Sequence, residues 1–267
     1  MQQPIKRSKA RLLAGRTFYT LQRYFYWYVS GIDFATKQNT SPLPFKIFTH
    51  KTPLRRALSN VDPTLNENKI ANLKIAIQKL DGIILEPGQT YSHWRLIGHP
   101  TKRKGYKEGM VLDHGTVKTG TGGGLCQLSN LIYWMTLHTP LSVTERWRHS
   151  YDVFPDVNRV LPFGSGATCA YPNIDLQIKN QTSQRFQLSL QVTEDSLVGT
   201  WLSDKPIAFT YHIAEIEHEI KHEWWGQYSR NNKIARTVVD KQTGKKVSEE
   251  LVAENHAIMM YEPLLGK

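Results

Sequence analysis

The stretch Gly120-Thr121-Gly122-Gly123-Gly124-Leu125-Cys126-Gln127-Leu128-Ser129-Asn130 constrains this chain more than any other. Consecutive glycines open the φ > 0 region and leave backbone N–H groups uncovered, so another group can approach closely. The residues that follow have helical spacing, with Leu128, Leu131, Ile132 and Met135 on one face and Pro140 beyond them. Cys126 therefore falls in the first turn of a helix over 125–137. Unpaired N–H groups and the positive end of the helix dipole favour an anion there. A thiol in that place ionises more readily than a free one, and the thiolate is the reactive form. Two readings stay open: a reactive thiol, or a structural cysteine packed in a tight loop-to-helix turn.

The 267-residue chain as a whole reads as a mixed fold. Residues 1–30 carry Lys6, Arg7, Lys9, Arg11, Arg16 and Arg23 with no acidic residue before Asp33. As a helix this segment places Phe18, Leu21, Phe25 and Tyr28 on one face and Arg16 and Arg23 opposite. It either lies on an anionic inner leaflet or docks its aromatic face on the domain. It lacks the apolar run of a secretory signal or a membrane span. Residues 31–61 are an extended connector, proline-rich from Pro42 to Pro53, with a short strand at 45–48. Asp62 and Pro63 then start a helix with a buried stripe of Ile70, Leu73, Ile77 and Leu80, and Gly82 stops it. Strands are expected at 83–85 and after the Pro87-Gly88 turn, and residues 93–106 form a basic loop. A strand and turn at 111–117 lead to the glycine run. Residues 143–151 alternate as one strand, with Val143, Glu145, Trp147, His149 and Tyr151 on one face. Strands follow at 174–178, 186–192, 210–216, 234–239 and 257–261. The expectation is a single α+β domain: a buried capped helix, a Cys-bearing helix on an antiparallel sheet, and a β-rich C-terminal region. The core is set at 62–200 and the β-rich extension at 201–267.

A helix-starting cysteine followed by a histidine suits acyl transfer. The imidazole takes the thiol proton, the thiolate attacks a carbonyl, and backbone N–H groups hold the oxyanion. Cys126 and His149 fill the first two roles, and Gly122, Gly123 and Gly124 help form the oxyanion hole. Candidates to orient the ring are Glu145, Asp152 and Asp175, and Gln127 is a further amide donor. In the alternative reading, the glycine loop is a non-catalytic nest for a carboxylate or phosphate, helped by Arg146 or Lys102. A net charge of +11 favours an anionic partner without choosing it. No metal site is expected, since neither Cys-x-x-Cys nor His-Glu-x-x-His spacing occurs, and no cofactor is implied. No helix-turn-helix or RNA-binding signature points to nucleic acid. Two cysteines, Cys126 and Cys169, fit a reducing compartment or a single bridge.

Several runs resemble the VanW family. They are Glu86-Pro87-Gly88-Gln89-Thr90-Tyr91-Ser92, Gly105-Tyr106, Gly122-Gly123-Gly124-Leu125-Cys126-Gln127-Leu128-Ser129 and Glu145-Arg146-Trp147-Arg148-His149-Ser150. The similarity runs from about residue 62 to 200 and continues through Leu161, Gly164, Ala167-Thr168 and Asp175-Leu176 to Asn180. It implies glycopeptide (vancomycin) resistance or cell-wall metabolism, with a peptidoglycan precursor, another anionic ligand or a partner protein bound. It implies no particular reaction. The family places an acid before its Ala-Thr pair, where this chain has Gly166. If that acid orients the histidine, Asp175 is the residue to take over. Relatives carry a membrane anchor and wall-binding modules that this sequence does not show. Its basic, aromatic N-terminus gives the expectation of a cytoplasmic protein, peripheral on the inner leaflet.

Overall fold

A computed structural model describes residues 8–55, 62–113, 115–153 and 160–263, the Asp113 side chain excepted. Lys6 and Arg7 of the basic cluster and His114 of the 111–117 turn lie outside the described residues.

The fold is α+β. The central sheet is antiparallel, in the order β1 (Phe45–Pro53), β10 (Ser196–Ser203), β9 (Phe186–Val192), β2 (Ile84–Leu85). Residues 45–53 thus form an edge strand of this sheet, longer than the four residues expected, and pair with β10. Helix α2 (Pro63–Leu80) packs on β9 and on the hairpin of β4 (Glu108–Asp113) and β5 (Thr116–Thr121). Its ends follow the sequence: Asp62 accepts from the Thr64 N–H at 2.8 Å, Pro63 opens the helix, and Gly82 turns the chain at φ 78°. Ile70, Leu73, Ile77 and Leu80 are buried.

Helix α4 (Cys126–Leu137) lies across β1 and β10. It comes close because residue 199 is glycine: a Cβ there would sit 2.6 Å from Met135 Cε. Trp201 of β10 is fully buried, and its indole N–H donates to Thr136 Oγ1 at 3.1 Å. Strand β2 and strand β3 (Thr90–Ser92) do not form a hairpin across Gly88. Strand β2 joins the central sheet, while β3 joins β8 (Gln177–Lys179) and β6 (Ser142–Glu145) in a three-stranded sheet. The basic loop contains a short helix, α3 (His93–Ile97), and a 3-10 turn at Lys102–Lys104.

Two expectations change. The run 143–151 is not one strand. It breaks after β6, touches Thr168 through a single bridge at Trp147, and resumes as β7 (Tyr151–Asp152) in another sheet. A register shift between Val143 and Glu145 already breaks the period-2 pairing inside β6. The C-terminal strands are also longer than expected. Strands β11 (Phe209–His222), β12 (Tyr228–Asp240) and β13 (Lys246–Met259) form an antiparallel ribbon, and β13 pairs in parallel with β7.

The N-terminal helix, α1 (Lys9–Val29), has the two faces read from the sequence, and the one that docks is the face bearing Arg23. Trp27 is buried, and Arg23 makes a two-pronged ion pair with Glu145 at 2.7 Å. Phe18, Leu21, Phe25 and Tyr28 stay 62–66% exposed. No helix among the described residues is long and apolar enough to cross a membrane.

Candidate functional site

The glycine loop links the β4–β5 hairpin to α4, and its glycines have different reasons to be glycine. Gly122 and Gly124 have φ of 78° and 91°, a region costly for residues with a Cβ. Gly123 lies flat against Gly109 of β4, where a Cβ would overlap the Gly109 carbonyl. Asn72 of α2 clamps the loop from below. Its amide donates to Lys107 O at 3.0 Å and to Gly123 O at 2.9 Å, and its oxygen accepts from Lys107 N–H at 2.8 Å. Sequence reasoning missed Asn72. The available signal was an amide set among the buried apolar residues of α2, where an unpaired polar group is costly.

Above this clamp the backbone donors divide. The N–H groups of Gly122 and Gly123 are spent on Lys107 O and Gly120 O. Those of Gly124, Leu125 and Cys126 meet no acceptor among the described residues. The free donors thus sit one to two residues later than the glycine run suggested, as the first turn of a helix requires.

Cys126 sits partly exposed at that turn. Its S–H points to Cys169 O at 3.5 Å, and the two sulfurs are 3.7 Å apart. The Cys126 thiol is held well below its usual range, first by its hydrogen bond from Cys169 and then by one from His149, against the opposing effect of burial. The buried Cys169 thiol is pushed well above its usual range by the Cys126 sulfur beside it and by desolvation. Cys169 is the second residue that the sequence did not place. One thiol donates to the other, so the pair divides into a more acidic and a less acidic member.

His149 lies in the irregular segment between β6 and β7, and that segment is held at several points. Arg146 donates to the Gly164 and Gly166 carbonyls and, at 3.3 Å, to Asn255 Oδ1 of β13. The Thr168 N–H donates to Trp147 O at 2.8 Å, and the Ile258 N–H to Ser150 O at 3.0 Å. On the other side of the site, Asn130 of α4 accepts from Ala167 N–H at 2.7 Å, and Ser129 Oγ donates to Ala167 O at 2.6 Å. Position 166 must stay small, because a Cβ there would lie 2.5 Å from Asn130 Oδ1.

The other residues singled out in the sequence go elsewhere. No hydrogen bond among the described residues joins His149 to Glu145 or Asp175. Glu145 holds Arg23, the Trp147 indole N–H and the Gln177 amide. Asp175 accepts from Ser92 Oγ at 2.5 Å and from Trp94 N–H at 2.9 Å, and burial pushes its pKa up to about 6. Asp152 lies 3.5 Å from Arg230 Nη1 and accepts from the Tyr261 hydroxyl at 2.8 Å. The Gln127 amide faces β1, donating to Thr52 Oγ1 and Pro53 O at 2.9 Å. The Arg146 guanidinium is directed at backbone carbonyls, with its charge over the Tyr133 ring at 4.8 Å. Lys102 pairs with Glu108 at 2.9 Å. Among the described residues no three His, Cys, Asp or Glu side chains are grouped to hold a metal ion.

Fold and site together define a class of protein: an α+β domain whose cysteine opens a helix behind a clamped glycine loop and meets a histidine. A family model described as "VanW like protein" matches residues 68–202. The chain belongs to the VanW family. It is similar to the vancomycin B-type resistance protein VanW of Enterococcus faecalis, with 32% identity over 231 residues that cover 86% of this chain and 84% of that one. It is also similar to the uncharacterized protein YoaR of Bacillus subtilis, with 25% identity over 142 residues, 53% of this chain and 45% of the relative. No solved structure matches.

Proposed function

We propose that this VanW-family chain is a cysteine-dependent acyl-transfer or hydrolytic protein of glycopeptide resistance, acting on an amide or ester of a peptidoglycan precursor. The observation that carries the reading is a thiol partly exposed at the start of α4, behind the clamped glycine loop, with His149 among the neighbours that hold it well below its usual range. In this reading Cys126 attacks the carbonyl and His149 takes the thiol proton, then returns it to the leaving group. The N–H groups of Gly124, Leu125 and Cys126, which meet no acceptor among the described residues, are assigned here to the oxyanion. Cys169 Sγ lies 3.7 Å from the Cys126 sulfur, so the reading uses a histidine beside two thiols, and among the described residues no hydrogen bond joins a carboxylate to the His149 ring. The substrate class comes from the relative of Enterococcus faecalis, whose name carries vancomycin resistance.

The test is the pH dependence of Cys126 alkylation, followed by peptide mapping to separate it from Cys169. Wild type should alkylate with a midpoint well below that of a free thiol, and His149→Ala should move the midpoint upward. An unchanged midpoint in that variant would remove the pair, leaving a binding nest at the helix start. Incubation with a lipid-linked wall precursor should then yield a covalent adduct on Cys126 that is absent in Cys126→Ser.

A second reading concerns location. The outward face of α1 carries Phe18, Leu21, Phe25 and Tyr28, with Lys9, Arg11 and Arg16 on the same helix. Apolar aromatics beside basic residues match an anionic bilayer surface, and we place the chain peripherally on the inner leaflet. Wild type should sediment with phosphatidylglycerol vesicles at low salt. A Phe18→Ser, Leu21→Ser, Phe25→Ser triple variant should stay in solution with its fold intact. Equal sedimentation of the two would sink the idea.

A further inference from the structure

The thiol at the helix start has a second thiol directly behind it, a pairing that the acyl-transfer reading does not need. The sulfurs are 3.7 Å apart, against about 2.0 Å in a disulfide, so bonding requires a small approach of the two side chains. Access is one-sided. Cys126 is partly exposed, whereas Cys169 is buried. Cys169 also sits outside the continuous strands. It lies between two isolated bridges, Trp147 with Thr168 and Ala170 with Ile174. We infer that Cys126 and Cys169 form a reversible disulfide site, closed by a peroxide and opened by a thiol reductant.

The steps balance. The Cys126 thiolate attacks one oxygen of hydrogen peroxide, the O–O bond breaks, and hydroxide leaves and takes up a proton to become water. Cys126 is then a sulfenic acid. The Cys169 sulfur attacks the Cys126 sulfur, the S–S bond forms, and the S–O bond breaks. The departing hydroxyl takes the Cys169 proton and leaves as a second water. Two thiols lose two electrons in all, and one peroxide gains them. The unequal ionisation of the pair suits this order, with the acidic Cys126 meeting the oxidant and Cys169 resolving it. The geometry makes Cys126 the sensor and protects it from further oxidation. The consequence for catalysis, a nucleophile withdrawn while the bond is closed, rests on the proposed function. The disulfide itself does not.

The experiment uses the full chain, titrated with hydrogen peroxide near neutral pH, quenched with N-ethylmaleimide and weighed by mass spectrometry. The expected product is a monomer lighter by two hydrogens that takes up no maleimide and regains two alkylatable thiols on reduction. Added oxygen on Cys126 with Cys169 still alkylatable would overturn the proposal, as would a chain-to-chain dimer as the main product. In Cys169→Ser the sulfenic acid should persist and be trapped by dimedone. The wild-type masses decide the matter even if that variant fails to fold. A disulfide that forms in a chain without turnover would leave this inference standing and sink only the catalytic one.

Discussion

Asp175 shows how one buried side chain ties the sheets around the site to pH. Its carboxylate is fully enclosed, and four donors reach it: Ser92 Oγ, the N–H groups of Trp94 and Leu176, and, at 3.4 Å, the Gln177 amide. Burial outweighs these bonds and raises its pKa to about 6. In the unfolded chain the group returns to about 3.9, so between those values the native state holds more proton than the unfolded one. Stability therefore falls as pH rises from about 4 to about 6 and is level above, a loss on the order of 3 kcal/mol for a two-unit shift. Asp175→Asn keeps an oxygen for the backbone amides and cannot ionise. Urea unfolding of both proteins across this window should show the wild-type stability declining relative to the variant. A constant difference between the two curves would mean that Asp175 is not the group that titrates.

At the scale of elements, α1 is a helix docked by the face that carries Arg23 and the buried Trp27, and not by the stripe of Phe18, Leu21, Phe25 and Tyr28. Arg23 and Glu145 are only 13% and 19% exposed, and the arginine also donates to Asn173 O at 2.7 Å. Removing one partner of such a pair strands the other, so Arg23→Ala should cost roughly 2–3 kcal/mol in chemical denaturation. Phe25→Ala, on the exposed face, should change stability by less than about 0.5 kcal/mol. Similar losses in the two variants would mean that α1 docks by its aromatic stripe after all. Periodicity separated the two faces of α1 but could not say which one finds the domain, because the deciding partner, Glu145, lies 122 residues away. Helix α2 was legible because its signals are local: an Asp cap, a proline at the first position, an apolar stripe and a glycine stop. The run 143–151 misled for the opposite reason. Its alternation is real, but the chain changes sheets inside it, and only strands from elsewhere decide where pairing ends.

Across the whole molecule, the C-terminal ribbon contacts the segment that carries the histidine. The family match ends at residue 202, yet β13 reaches the His149 segment through Asn255 to Arg146, through His256 O to Arg148 and through the Ile258 N–H to Ser150 O. Sequence reading singled out Cys126 and His149 as candidates because each sits in a local pattern, a glycine run and a Glu-Arg-x-x-His motif. It could not find Asn255, whose meaning depends on packing with residues about a hundred positions earlier. Asn255 is 3% exposed, donates to Asn232 Oδ1 at 2.8 Å, and packs where a Cβ on Gly164 would overlap its amide. Asn255→Ala removes the oxygen that Arg146 meets and leaves the ribbon otherwise paired, at a cost of about 1–2 kcal/mol. If the ribbon sets the histidine against the thiol, this variant should raise the alkylation midpoint of Cys126 part of the way toward that of His149→Ala. Gly164→Ala, which pushes on Asn255 from the other side at φ +74°, should do the same by an independent route. Were both variants folded with the wild-type midpoint, the C-terminal ribbon would be a neighbour of the site and not a part of it.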